Sequence, residues 1–211
     1  MKTHIFQSKL RAFWKHAAVG ALCVLLSTPL FAQTKGWQVQ LLGGVFTPLR
    51  GELENVYGNT PALQLALRAP LGENGRLKIG ASYYGASGDP YYFARDFNAG
   101  DNTGQFRMAA IDLGVELTSA KMTNPRIYLG AGISYYYGAH EIKNLEKYTG
   151  QGLGAVFTLA PEFRVNDRVS IMLEPALRLG DLRLRGDTER FRFDVTGASI
   201  SLGASYDLSG I

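Results

Sequence analysis

Residues 198–208 alternate one by one. Ile200, Leu202, Ala204, Tyr206 and Leu208 fall on one side, and Ser199, Ser201, Gly203, Ser205 and Asp207 on the other. A period of two is the pattern of an extended strand, whose successive side chains point to opposite faces. One apolar face and one small or polar face place the strand between two different solvents. The same alternation recurs upstream, and no amphipathic helix longer than a turn or two interrupts it. A chain made almost only of such strands must also solve the problem of its unpaired edges.

Seven further segments carry the pattern, at residues 37–46, 62–69, 77–86, 105–117, 127–137, 153–165 and 169–179. The connections run long, short, long, short. The long ones are 47–60, 87–103, 139–149 and 181–190. The short ones are 71–75 with Asn-Gly at the tip, 119–125, and the Asn166-Asp167 turn. Leu41, Leu65, Ile79, Leu113, Ile133, Phe157 and Leu173 share the apolar side. Gln38, Gln40, Gln64, Lys78, Asp112, Ser134 and Glu174 share the polar one. Two places break step. Arg107 falls on the apolar side, which puts it above the apolar band or calls for a bulge. Phe191, Phe193 and Val195 are out of phase with Ile200, which predicts a bulge near Gly197.

The N-terminus reads as an export signal. Lys2, Lys9, Arg11 and Lys15 precede an apolar run at residues 17–26, too short for a spanning helix, and cleavage is expected after Ala32. Cys23, the one cysteine, lies inside that run. The domain is then residues 33–211, with no thiol chemistry. The whole chain has 22 Lys plus Arg against 18 Asp plus Glu, and residues 1–32 hold four of the basic groups and no acidic one. The remaining domain is neutral, so the basic balance is no sign of nucleic-acid binding.

An even number of about ten-residue strands returns both ends of the domain to one side. Apolar outside and polar inside, with short turns at one end and long loops at the other, is the pattern of an all-β, antiparallel, up-and-down transmembrane β-barrel of about eight strands. Closure pairs every backbone group without an exposed edge. Ser201, Gly203, Tyr206 and Leu208 resemble the C-terminal signal by which outer-membrane barrel proteins reach the barrel-assembly machinery. The domain resembles the small eight-stranded family of OmpA-type, OmpX-type, OmpW-type and opacity proteins. That resemblance implies a bacterial outer-membrane location, passage past periplasmic chaperones, and contact with outer-membrane lipid and lipopolysaccharide. Trp37 and Tyr206 are expected at the inner interface, and Tyr83, Tyr135 and Tyr137 at the outer.

Candidate chemistry is sparse. The inward charges Arg68, Lys78, Asp112, Glu116, Glu162, Arg164, Glu174 and Arg178 are split evenly between the two signs, and an eight-stranded lumen is narrow enough to force them together. They are expected to form a structural ion-pair plug in the periplasmic half, with Arg164 or Arg178 between Glu162 and Glu174; a gate or ion path is the alternative. His140, the lone histidine after residue 32, is read as a loop residue in water. The lipid A deacylases of this barrel size carry Ser, His and carboxylate on the lipid-facing surface, and Ser134 faces inward, out of reach. Asp89, Asp96 and Asp101 fit no EF-hand spacing. No cofactor or metal is expected, and no enzyme. Tyr91, Tyr92, Phe93 and Phe97 in the second long loop are contact candidates for an unknown surface ligand. The expected role is surface binding, adhesion or envelope support. The alternatives are passage of small apolar molecules, as in OmpW-type barrels, and lipid A modification.

Overall fold

The computed structural model describes residues 36–50, 52–88, 104–118, 124–142, 147–186 and 190–208. The loop candidates Tyr91, Tyr92, Phe93 and Phe97 lie outside these residues, as does the expected export segment at residues 1–32.

The strands are β1 (Gln38–Pro48), β2 (Thr60–Leu71), β3 (Gly75–Gly88), β4 (Gly104–Thr118), β5 (Arg126–Ile142), β6 (Lys147–Arg164), β7 (Val169–Arg185), β8 (Arg190–Asp194) and β9 (Gly197–Asp207). A short helix α1 (Glu52–Tyr57) lies between β1 and β2. Each strand from β1 to β6 pairs antiparallel with the next, β6 pairs with β7, and β9 pairs with both β7 and β1, so the sheet closes. β8 and β9 are two parts of one stave: β8 pairs with the upper end of β7 and β9 with the rest.

The register gives the geometry. From Gln38 the paired residues run through Arg68, Lys78, Gly114, Gly132, Val156, Arg178 and Gly197 to Pro48, ten residues further along β1. Eight staves with that stagger tilt at about 40° around a backbone radius of about 8 Å. Each residue then advances about 2.5 Å along the axis.

The outward positions are apolar. Leu129 is 64% exposed, Leu153 72% and Leu202 59%, and Leu113, which a sandwich would enclose, is 46% exposed. Water does not tolerate a continuous belt of this kind on a monomer; lipid does. Tyr83 and Tyr137 both pair with Ala109 and mark one rim of the belt, and Tyr206 marks the other.

Two expectations change, and the choice left open at Arg107 is decided. The register between β7 and the last stave is continuous across Val195 and Thr196, so no bulge shifts it near Gly197. Phe193 and Val195 instead face inward and are buried. The phase of hydrophobicity inverts because the upper lumen is apolar, while the phase of the strand does not. Arg107 also keeps its parity: it points outward, pairs with Gly85 and Ala139 one step beyond the Tyr83 and Tyr137 row, and hydrogen-bonds Gln105 at 2.9 Å. Finally, the expected connections at 139–149 and 181–190 are mostly strand. The hairpins rise past the belt because Tyr148, Leu182 and Leu184 bury themselves inside while Gln151, Arg183 and Arg185 turn out.

Candidate functional site

The lumen is filled in layers. At the end with the short turns, Arg76 donates to Glu162 at 2.9 Å and to Gln38 at 2.9 Å, and its guanidinium lies 3.9 Å from the Tyr128 ring centroid. A cavity of about 230 Å³ opens below this pair and includes Arg126 and Ser170 in its lining.

The next layer centres on Glu174. It accepts from Lys78 Nζ at 2.6 and 2.7 Å, Arg68 Nη2 at 3.1 Å, Gln64 at 3.0 Å and Gln40 at 3.2 Å. Arg68 Nη2 also donates to one Glu116 oxygen at 2.9 Å, and its Nε lies 2.8 Å from the other. The Nη2 contact is a hydrogen bond, and the Nε contact holds the two charges at ion-pair distance. A third layer holds Arg178 forked onto Asp112 at 2.8 and 2.7 Å, with the Ser134 hydroxyl donating to Asp112 at 2.6 Å and Ser82 accepting from Arg178 at 3.2 Å.

Arg68, Lys78, Asp112, Glu116, Glu162, Glu174 and Arg178 are therefore all inside and all paired. Arg164 is not among them. It sits exposed at the rim, bonded to the carbonyls of Asn166 and Asp167. Its place opposite Glu162 is taken by Arg76. The strand parity of Lys78 already points Arg76 inward; beginning the strand at Leu77 hides it. Arg178 likewise does not stand between Glu162 and Glu174 but serves Asp112. Among the described residues four buried or half-buried cations ion-pair with four buried anions, Arg76 standing where Arg164 was expected.

Above the charges the lumen turns aromatic. Phe46, Tyr84, Phe106, Met108, Tyr136, Tyr148, Leu182, Leu184, Phe193 and Val195 form one buried cluster. Helix α1 caps it: Leu53 and Tyr57, four residues apart on one helix face, enter the cluster with Val56 against it. His140 belongs here. It is 2% exposed, and its ring centroid lies 5.5 Å from Phe193, 5.9 Å from Tyr57 and 6.4 Å from Tyr148. It is no loop histidine in water, because β5 continues to Ile142 and keeps even-numbered residues inside. Nor does it reach the lipid-facing surface, and the Ser134 hydroxyl is committed to Asp112.

The residues expected to form the assembly signal lie on the seam. β9 closes the ring onto β1, with Ser201 buried toward the lumen and Tyr206 outside. The Leu208 amide donates to the Trp37 carbonyl at 2.8 Å.

No protein-family model matches this sequence, and no curated protein does. Solved structures do. Neisserial surface protein A shares 14% identity over 82% of this chain and 97% of its own, with a TM-score of 0.57. The outer membrane protein OprG from Pseudomonas aeruginosa shares 10% identity over 81% and 94%, with a TM-score of 0.62. A major outer membrane protein from Thermus thermophilus shares 11% identity over 81% and 99%, with a TM-score of 0.57. The fold is that of the small outer-membrane β-barrels. At these identities the likeness concerns the barrel itself, and what fills its lumen is read from this chain alone. The exposed apolar belt is the surface that residence in an outer membrane requires.

Proposed function

We propose that this protein is a non-enzymatic outer-membrane barrel that works through its external hairpins and loops, in binding or envelope support, and not through its lumen. The observation that carries this reading is the filled interior: paired charges at mid-height, an aromatic layer above them, and α1 across the mouth. On this reading residues 1–32 are removed at export, periplasmic chaperones carry the chain, and the barrel-assembly machinery engages Ser201, Gly203, Tyr206 and Leu208. Tyr91, Tyr92, Phe93 and Phe97 remain the loop candidates for a surface partner. In planar bilayers the purified protein is expected to give no stepwise current. Regular conductance steps from the wild-type protein would overturn the reading.

A second reading has one specific observation behind it. The upper layer is apolar and also holds two polar atoms without hydrogen-bond partners among the described residues, Tyr136 Oη and His140 Nε2. A path of that character suits a small apolar molecule with one polar group, and passage would require α1 to lift and the aromatic layer to part. Replacing both Leu53 and Tyr57 by Ala is then expected to raise uptake of a small apolar solute into vesicles. Unchanged uptake removes this reading.

A further inference from the structure

The outward side of the β7–β8 ribbon sets like charge against like charge three times running. Asp181 pairs with Asp194, Arg183 with Arg192, and Arg185 with Arg190. Like charges directly opposed across a ladder destabilise it, and a crossed arrangement of the same residues would have given ion pairs instead. One diagonal contact relieves the lower part: Arg192 Nη2 donates to Asp181 Oδ2 at 2.5 Å. Asp194 accepts from the Thr196 amide. All four arginines are exposed on one side of the ribbon. The tip at 187–189, which contains Asp187 and Glu189, lies outside the described residues.

The position of this ladder chooses its partner. Leu177 and Leu179 lie directly below on the same outward side of β7, and Leu153 belongs to the same belt on β6. At about 2.5 Å of axial rise per residue, Arg183 and Arg185 stand about 10 and 15 Å above Leu179. Gln151 of β6 pairs with Arg183 and Thr149 with Arg185. The Tyr135 hydroxyl donates to Gln151 Oε1 at 2.6 Å, which leaves the Gln151 amide group pointing its donors elsewhere. From bottom to top along β7 and β8 the surface is hydrocarbon, then the Asp181 and Asp194 carboxylates with Arg192 bonded to Asp181, then guanidinium, and Gln151 and Thr149 of β6 stand beside the upper arginines. Hydrocarbon below, and guanidinium beside neutral hydrogen-bonding groups above, match an amphiphile with acyl chains, sugar hydroxyls and phosphate.

We propose that the arginine ladder Arg183, Arg185, Arg190 and Arg192 is a binding site for the phosphate groups of the glycolipid in the outer leaflet. A phosphate between opposed guanidiniums accepts two-point hydrogen bonds from each and removes their repulsion. A soluble polyanion would meet the charges too, but it would leave the continuity with the apolar belt unused. This site rests on the reading of the chain as an outer-membrane barrel.

The test uses the full domain folded in detergent micelles, with native mass spectrometry as the readout and bisphosphorylated lipid A as the probe. Dephosphorylated lipid A and a heparin oligosaccharide are the comparisons. The wild-type protein is expected to retain bisphosphorylated lipid A at least about tenfold more tightly than the dephosphorylated form. Arg185→Gln with Arg190→Gln is expected to lose much of that preference, and replacing all four by Gln to abolish it. Arg164→Gln with Arg168→Gln, at the opposite rim, is expected to keep it. Heat-modified mobility in gels checks that each variant is folded, and the double variant carries the test if the fourfold one does not fold. Equal retention of the two lipids, or full preference in the fourfold variant, overturns the site. So does retention of heparin through these arginines without lipid A. If the wild-type protein fails to insert into vesicles at all, the barrel reading falls first; if it inserts and shows no phosphate preference, this inference alone falls.

Discussion

Glu174 is where the buried charges converge, and its carboxylate is fully occupied by Lys78, Arg68, Gln64 and Gln40. Removing one partner of a buried pair costs more than the pair contributes, because the other charge is left without compensation. Glu174→Gln is therefore expected to destabilise the folded barrel by about 3–5 kcal/mol, read as a shift of the urea midpoint in detergent micelles. Arg164→Gln, at an exposed rim position, is expected to change it by less than about 0.5 kcal/mol. Equal shifts would mean that the layer contributes nothing special. Asp112 and Arg178 offer a second check. Each single replacement, Asp112→Val or Arg178→Met, should cost heavily, and the double variant should cost clearly less than their sum. The members of these layers are largely legible in the sequence, because in a strand parity alone sends a residue inward. Their partnerships are not. Which cation meets which anion depends on the stagger of the staves, a property of the closed ring that no local stretch encodes.

The hairpins above the belt show what an alternation of hydrophobicity can and cannot tell. In the lower barrel apolar means outward; around Leu182, Leu184, Phe193 and Val195 apolar means inward. Two different apolar surroundings, lipid and plug, give the same sequence signal. That is why the pattern predicts a bulge where the strand runs straight, and why it puts His140 in water. β6 and β7 also approach each other closely. Gly154 and Gly180 lie opposite each other, with the Tyr136 ring laid against both. A Cβ on Gly154 would collide with the Leu179 carbonyl oxygen, an atom of the backbone that cannot step aside. On Gly43, which faces outward, a Cβ meets nothing within 4 Å. Gly154→Ala is expected to cost about 1–3 kcal/mol as overpacking, and Gly43→Ala to be neutral within about 0.5 kcal/mol. Urea unfolding of the two variants side by side decides it; a neutral Gly154→Ala would show that the staves can separate there at no cost.

For the whole molecule the controlling quantity is depth in the bilayer, which tilt and stagger convert from residue number. The outward apolar run on β5, from Ile127 to Tyr137, rises about 25 Å, the height of the lipid-facing band in barrels of this kind. Leu113, paired with Ile79 and Ile133, sits in the middle of that band. Arg107, three outward positions higher on the same strand, sits beyond the tyrosine row. The two positions share a side and a strand, so they differ in little but depth. Leu113→Arg is expected to cost about 2–4 kcal/mol when the barrel is folded into lipid vesicles, while the natural Arg107 costs about 0–1 kcal/mol. The measurement is reversible urea unfolding from vesicles, with Arg107→Leu as the reciprocal variant. That variant should gain little, because the rim at its level is polar and hydrated. The same pair measured in detergent should show a smaller gap, since a micelle deforms around a charge more readily than a bilayer. A Leu113→Arg penalty equal to that at Arg107 would mean that the belt does not sit in hydrocarbon, and the placement of every residue above and below it would fall with it.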